Sequence, residues 1–142
     1  MADEHEQVTR SVDIDAEADD VWRAVADPGE RDRWLDDPDA VARRVRVDEV
    51  DATTPARRLT WTWWRPGDEA GASTVSVVVA PRAGGGTRVV ITESLRAHAS
   101  ASASASATAG AGAGLRALWG HRILGLELLL LTARSHAGAG LA

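Results

Sequence analysis

The segment LRALWGHRILGLELLLLTAR, from Leu115 to Arg134, constrains this chain more than any other. Trp119, Ile123, Leu126, Leu130 and Ala133 fall at helical spacing, and Leu124, Leu128 and Leu131 widen the stripe. A helix of these residues would be about 30 Å long at 1.5 Å per residue. Its longest apolar stretch, Ile123–Leu131, is too short for a bilayer and contains Glu127, so no membrane span is expected. So apolar a helix must lie against a large surface of the same protein.

The rest of the chain offers that surface as a sheet. EQVTRSVDI, Glu6–Ile14, alternates with Val8, Val12 and Ile14 on one face, as a half-buried strand does. The period then changes. Ala18, Val21, Trp22 and Val25 mark a helix with acidic residues in its first turn, broken at Asp27-Pro28-Gly29, and Glu30–Leu35 forms a second short helix. Four further strands are predicted: Arg43–Val50, Arg57–Trp64, Ser73–Ala80 and Thr87–Leu95. Short connections, including the turn Gly84-Gly85-Gly86, suit an antiparallel meander. Residues 97–114, AHASASASASATAGAGAG, hold nine alanines with almost nothing to bury and read as an irregular low-complexity connector within one domain. The tail 135–142 reads as frayed.

The segments SVDIDAEADDVWRAVADPGERDRWL, VDEVDATTPARRLTWTWW and ASTVSVVVAPRAGGGTRVVITESL, followed by the leucine-rich helix, together resemble the START/SRPBCC superfamily. Within it they are similar to the bacterial branch related to the C-terminal domain of the heat-shock-protein-90 ATPase activator. The resemblance covers most of residues 7–134. It implies an α+β helix-grip fold, an antiparallel sheet of about five strands wrapped on a long C-terminal helix, with two short helices after the first strand. Relatives usually carry one more hairpin between the Trp-Leu helix end and the strand resembling RRVRVDEV. Here nine residues, Asp36–Arg44, separate Leu35 from Val45, too few for two strands. The expectation is therefore a shallow or open pocket. Such relatives are often described, by fold, as polyketide cyclase/dehydrase-like or lipid-transport-like.

Composition removes several chemistries. The 142 residues include six tryptophans, no phenylalanine or tyrosine and no cysteine, so there is no disulfide framework, thiol nucleophile or Cys-ligated metal. The net charge of −5 gives no field for nucleic acid, and Asp48, Glu49 and Asp51 offset Arg43, Arg44, Arg46, Arg57 and Arg58. The acidic stretch of Asp13, Asp15, Glu17, Asp19 and Asp20 reads as helix-start charges, and Asp36, Asp37 and Asp39 read as a solvated loop. The histidines make no metal constellation, and no cofactor fingerprint appears. The opening MADEHEQ has no apolar run, so a soluble cytoplasmic domain is expected.

Two groups of residues could carry function. Arg10 and Glu93 each occupy an apolar-parity position, and a register with Ile14 opposite Val89 would set them on one rung. They would then form either a polar anchor for a ligand head group or a rim salt bridge. Trp61 and Trp63 share a face with Leu59 and either line a hydrophobic site or fill the core. With Val77, Ile91, Trp119, His121 and Ile123 they complete the candidate wall. The leading expectation is a small hydrophobic molecule held between the sheet and the C-terminal helix, without catalysis. Two alternatives stand beside it. One is an interaction module meeting a protein partner or a second copy of itself, which an open sheet favours. The other is a cyclase/dehydratase-like enzyme using Glu93 or His121.

Overall fold

A computed structural model describes residues 5–53, 55–96 and 105–140. The chain runs β1 (His5–Ile14), α1 (Ala18–Ala26), α2 (Pro28–Trp34), α3 (Pro38–Val41), β2 (Arg44–Asp51), β3 (Arg57–Arg65), β4 (Asp68–Pro81), β5 (Thr87–Arg96) and α4 (Ala105–Gly140). The five strands form one antiparallel sheet in the order β1-β5-β4-β3-β2, so β1 and β2 are its edges. The helices cover one face, and the architecture is the expected α+β helix-grip.

Period-2 alternation decides the inner face. Leu59, Trp61 and Trp63 of β3, Val75, Val77 and Val79 of β4, and Val89 and Ile91 of β5 are all buried. Opposite them lie Val21 and Val25 of α1, Trp34 of α2 and Trp119, Ile123, Leu126 and Leu130 of α4. α4 rests on β1, α2 and α1. Gly125 permits the approach to α2, because a Cβ there would stand 3.3 Å from the Trp34 carbonyl oxygen.

Four expectations change. The register of β1 on β5 is two residues from the one assumed: Ile14 pairs with Thr87, Val12 with Val89, Arg10 with Ile91 and Val8 with Glu93. The cause is the tight turn before β5. Gly86, with φ of 81°, presses on the Ile14 carbonyl, where a Cβ would stand 3.0 Å from the oxygen. The Thr87 hydroxyl then donates to the Ala16 carbonyl at 2.7 Å, fixing the end of β1 there.

Secondly, α4 spans 36 residues and so takes in the second half of the segment read as an irregular connector and most of the tail; residues 97–104 lie outside the described part. Alanine's helix propensity outweighs the interspersed serines and glycines over residues 105–114. Thirdly, Leu124, Leu128 and Leu131 do not widen the docked stripe but are 53–60% exposed on the helix's far side. The fourth change is α3, a single turn where a solvated loop was expected. Asp27-Pro28 and Asp37-Pro38 are the same device: the aspartate accepts from the backbone N–H three residues on (2.9 and 2.8 Å), and proline occupies the first helical position. Among the described residues no helix is long and apolar enough to cross a membrane.

Candidate functional site

Between the sheet and α4, at the end where β2 enters, the interior is filled and polar. Trp61 and Trp63 meet edge to face with centroids 5.7 Å apart, and Trp63 stacks on Trp119 at 6.1 Å. Glu93, fully buried on β5, sits at their centre. Its carboxylate accepts from the indole N–H of Trp63 at 2.9 Å and of Trp119 at 2.7 Å, and from the Ser73 hydroxyl. Arg43 approaches it at 3.9 Å. Three neutral donors and one cation supply what a buried carboxylate requires.

A second layer locks this cluster to the helices. The Arg122 guanidinium lies 5.1 Å from the Trp63 ring centroid and 4.6 Å from that of Trp119. It donates to Asp37 at 2.7 and 3.2 Å and to Asp39 at 3.0 Å. Asp39 also takes Arg43 and Arg65. Three guanidinium groups thus face three carboxylates, Asp37, Asp39 and Glu93, with no net charge in the cluster. Arg31, 7% exposed, lies 5.6 Å from the Trp61 ring centroid and reaches the Val25 carbonyl at 3.5 Å, near the C-terminal end of α1.

Burial by itself raises the Asp37 carboxyl. The Arg122 hydrogen bond, the Ala40 N–H and the Arg122 charge outweigh it and hold the group below the usual carboxylate range. Asp39 is lowered too: burial opposes the shift, and Arg65, Arg43 and Arg122 overcome it. Both groups therefore contribute stability fully present above the unfolded carboxylate pKa, about 3.9, and lost as the pH falls through their lower folded values. The urea midpoint of the native protein is expected to stay level from about pH 7 to about pH 5 and to fall below about pH 4. Asp37→Asn should start lower at neutral pH and fall less steeply in acid; identical acid limbs in the two proteins would count against this origin.

Of the residues singled out from sequence, Trp61, Trp63, Val77, Ile91, Glu93, Trp119 and Ile123 do come together, and they pack on one another as core. Arg10 does not reach the Glu93 rung; its guanidinium lies over Gly120 of α4, 3.1 Å from where a Cβ would be. His121 is exposed on α4 and takes no part in the cluster. Asp37, Asp39, Ser73, Arg43 and Arg122 were missed. One signal was available for Arg122, which falls on the Trp119–Leu126 side of α4 where an unpaired arginine has no place.

Open space lies elsewhere. A cleft of about 520 Å³ opens at the other end of the sheet–helix junction, between α1, the Gly86 turn and α4. Ala16, Ala24, Leu129 and Leu130 give it apolar surface, and Glu17, Asp20, Arg23 and Glu30 give it polar surface. A second cleft, about 470 Å³, lies on the outer face of the sheet around Arg46, Thr62, Trp64 and Thr74. The residues expected to wall the ligand site line neither.

With this geometry in hand, solved structures decide the fold. The chain matches a protein from Mesorhizobium loti with a TM-score of 0.64 and 19% identity, over 88% of this chain and 96% of that one. The chain shares its helix-grip fold with that protein. A hypothetical protein from Helicobacter pylori matches at 0.66 and 13%, over 88% of each chain. A Thalictrum norcoclaurine synthase, solved as a point mutant with a transition-state analogue, matches at 0.62 and 11%, over 92% of this chain and 96% of that one. No family model and no curated protein sequence matches.

Proposed function

We propose that this helix-grip domain holds a small apolar molecule with a polar end in the cleft between α1, the Gly86 turn and the C-terminal half of α4, and does so without catalysis. The observation that carries the reading is the cleft itself: about 520 Å³ of space at the sheet–helix junction, with Leu129, Leu130, Ala16 and Ala24 beside a few charged groups. Small-molecule sites have this size and this mixture. The bound analogue in the norcoclaurine synthase supports the fold's capacity to take small ligands, by analogy of fold alone. The filled centre supports moving the site away from Trp61 and Trp63. Glu93 is enclosed, with its oxygens taken by Trp63, Ser73 and Trp119, which favours a structural role over an acid/base one. The sequence segments quoted above support a place near the chaperone-activator-like branch of the superfamily.

Ala16→Trp tests the site by filling it. Titration with an anilinonaphthalene dye and with a medium-chain fatty alcohol should show saturable binding to the native protein. Binding at least tenfold weaker is expected in the variant, with its circular dichroism and melting temperature unchanged. Native mass spectrometry of protein from its own host should show a retained small molecule. Equal affinity in the two proteins would sink the assignment.

A further inference from the structure

The edge strand β2 carries a pattern that its own fold uses only in part: Arg46 pairs with Asp48 on the same strand at 2.9 Å, and Thr62 of β3 donates to Asp48. All eight of its residues are exposed, and only one of its sides is paired, with β3. The pairing slips between Val47 and Glu49, leaving Asp48 as a bulge. Val45, Val47 and Val50 lie opposite Trp63, Trp61 and Leu59 and so share the inner face; Arg44, Arg46, Glu49 and Asp51 lie opposite Trp64, Thr62, Thr60 and Arg58 on the outer face.

With the bulged Asp48 set aside, β2 reads Arg-Val-Arg-Val-Glu-Val-Asp, a charge palindrome centred on Val47. We infer that β2 pairs antiparallel with β2 of a second copy of this chain, about a two-fold axis at Val47, joining two five-stranded sheets into one. In that register Arg44 faces Asp51, Val45 faces Val50, Arg46 faces Glu49 and Val47 faces itself. Each unlike pair occurs twice by symmetry, and every pair keeps its side chains on one face of the sheet.

The charges also exclude the neighbouring registers. A slip of two residues either way brings Arg46 onto Arg46 or Glu49 onto Glu49 at the axis, and like charges directly opposite are destabilising. Parallel pairing in register stacks every charge on its own kind. On the inner face the valines, 44–58% exposed in the single chain, meet their counterparts across the axis. A bulge ordinarily guards an edge against pairing. Here it costs the ladder bonds around Asp48, but without it Val47 and Asp48 would be forced opposite each other from different faces.

Sedimentation equilibrium and native mass spectrometry of the full chain test this. The native protein should associate to twice the chain mass. Arg44→Glu with Arg46→Glu makes an edge acidic throughout, and Glu49→Arg with Asp51→Arg makes one mainly basic. Each double variant alone should dissociate at least tenfold more readily than the native protein while keeping the native far-UV circular dichroism and a cooperative melt, and a one-to-one mixture should form the heterodimer. A native protein that stays monomeric at millimolar concentration overturns the proposal. So does a dimer indifferent to both charge reversals, an outcome that would direct attention to the exposed Leu124 and Leu131 of α4. If one variant fails to fold, the other still decides, because its homodimer must weaken.

Discussion

Leu126→Asp is expected to leave no cooperatively folded protein. Leu126 is fully buried where α4 meets the other helices and the sheet. Truncating such a leucine to alanine costs about 2–5 kcal/mol. A carboxylate with no partner adds several more, through its own desolvation or through the protonation needed to avoid it. The sum reaches the whole stability of a domain of this size, about 5–15 kcal/mol. Leu130→Asp should behave alike, since Leu130 is 8% exposed on the same stripe. Leu124→Asp is the control: its side chain is 53% exposed on the far side of the helix, and a change of less than about 0.5 kcal/mol is expected. Far-UV circular dichroism and thermal melts of the three variants read this directly. Wild-type-like melting of Leu126→Asp and Leu130→Asp would refute the docking of α4 that the fold depends on.

That comparison separates what was legible in the sequence from what was not. Period-2 alternation placed Leu59, Trp61 and Trp63 on one face and Trp64 on the other, and helical spacing placed Trp119, Ile123, Leu126 and Leu130 together, because burial imposes those periods directly. Glu93 stood out because it breaks the apolar parity of β5. Its partners did not follow, since they come from three other elements: Trp63 on β3, Ser73 on β4 and Trp119 on α4. The pairing with Arg10 failed for a smaller reason, a two-residue register error set by Gly86 and Thr87 at the turn. The DDPD segment misled more deeply. Composition says that aspartates are solvated, yet Asp37 is buried because Arg122 and a one-turn helix meet there. Local pattern cannot report a carboxylate whose counter-ion stands 85 residues further along.

The buried carboxylate itself gives the second large effect. Glu93→Ala would leave the Trp119 indole N–H facing a void and the Trp63 indole N–H with the Ser73 hydroxyl as its remaining acceptor at 3.0 Å, release the Ser73 hydroxyl proton and unbalance Arg43. Each orphaned donor costs about 1–3 kcal/mol, and breaking a buried charged cluster from one side typically costs about 3–5 kcal/mol. Glu93→Gln keeps the shape and one acceptor, but it turns an amide NH₂ toward groups that are themselves donors. It should therefore lose about half as much, in the range of about 2 kcal/mol. The informative variant replaces the polar set together: Glu93→Leu with Trp63→Phe and Trp119→Phe removes the acceptor and both indole donors at once. If the cost of Glu93→Ala comes from unsatisfied donors, the triple variant should be more stable than Glu93→Ala even though it departs further from the native sequence. Urea denaturation of all three, read as midpoints at constant slope, decides this. A triple variant less stable than Glu93→Ala would mean that the indoles matter here as packing surface for Arg122 and Arg43 more than as donors to the carboxylate.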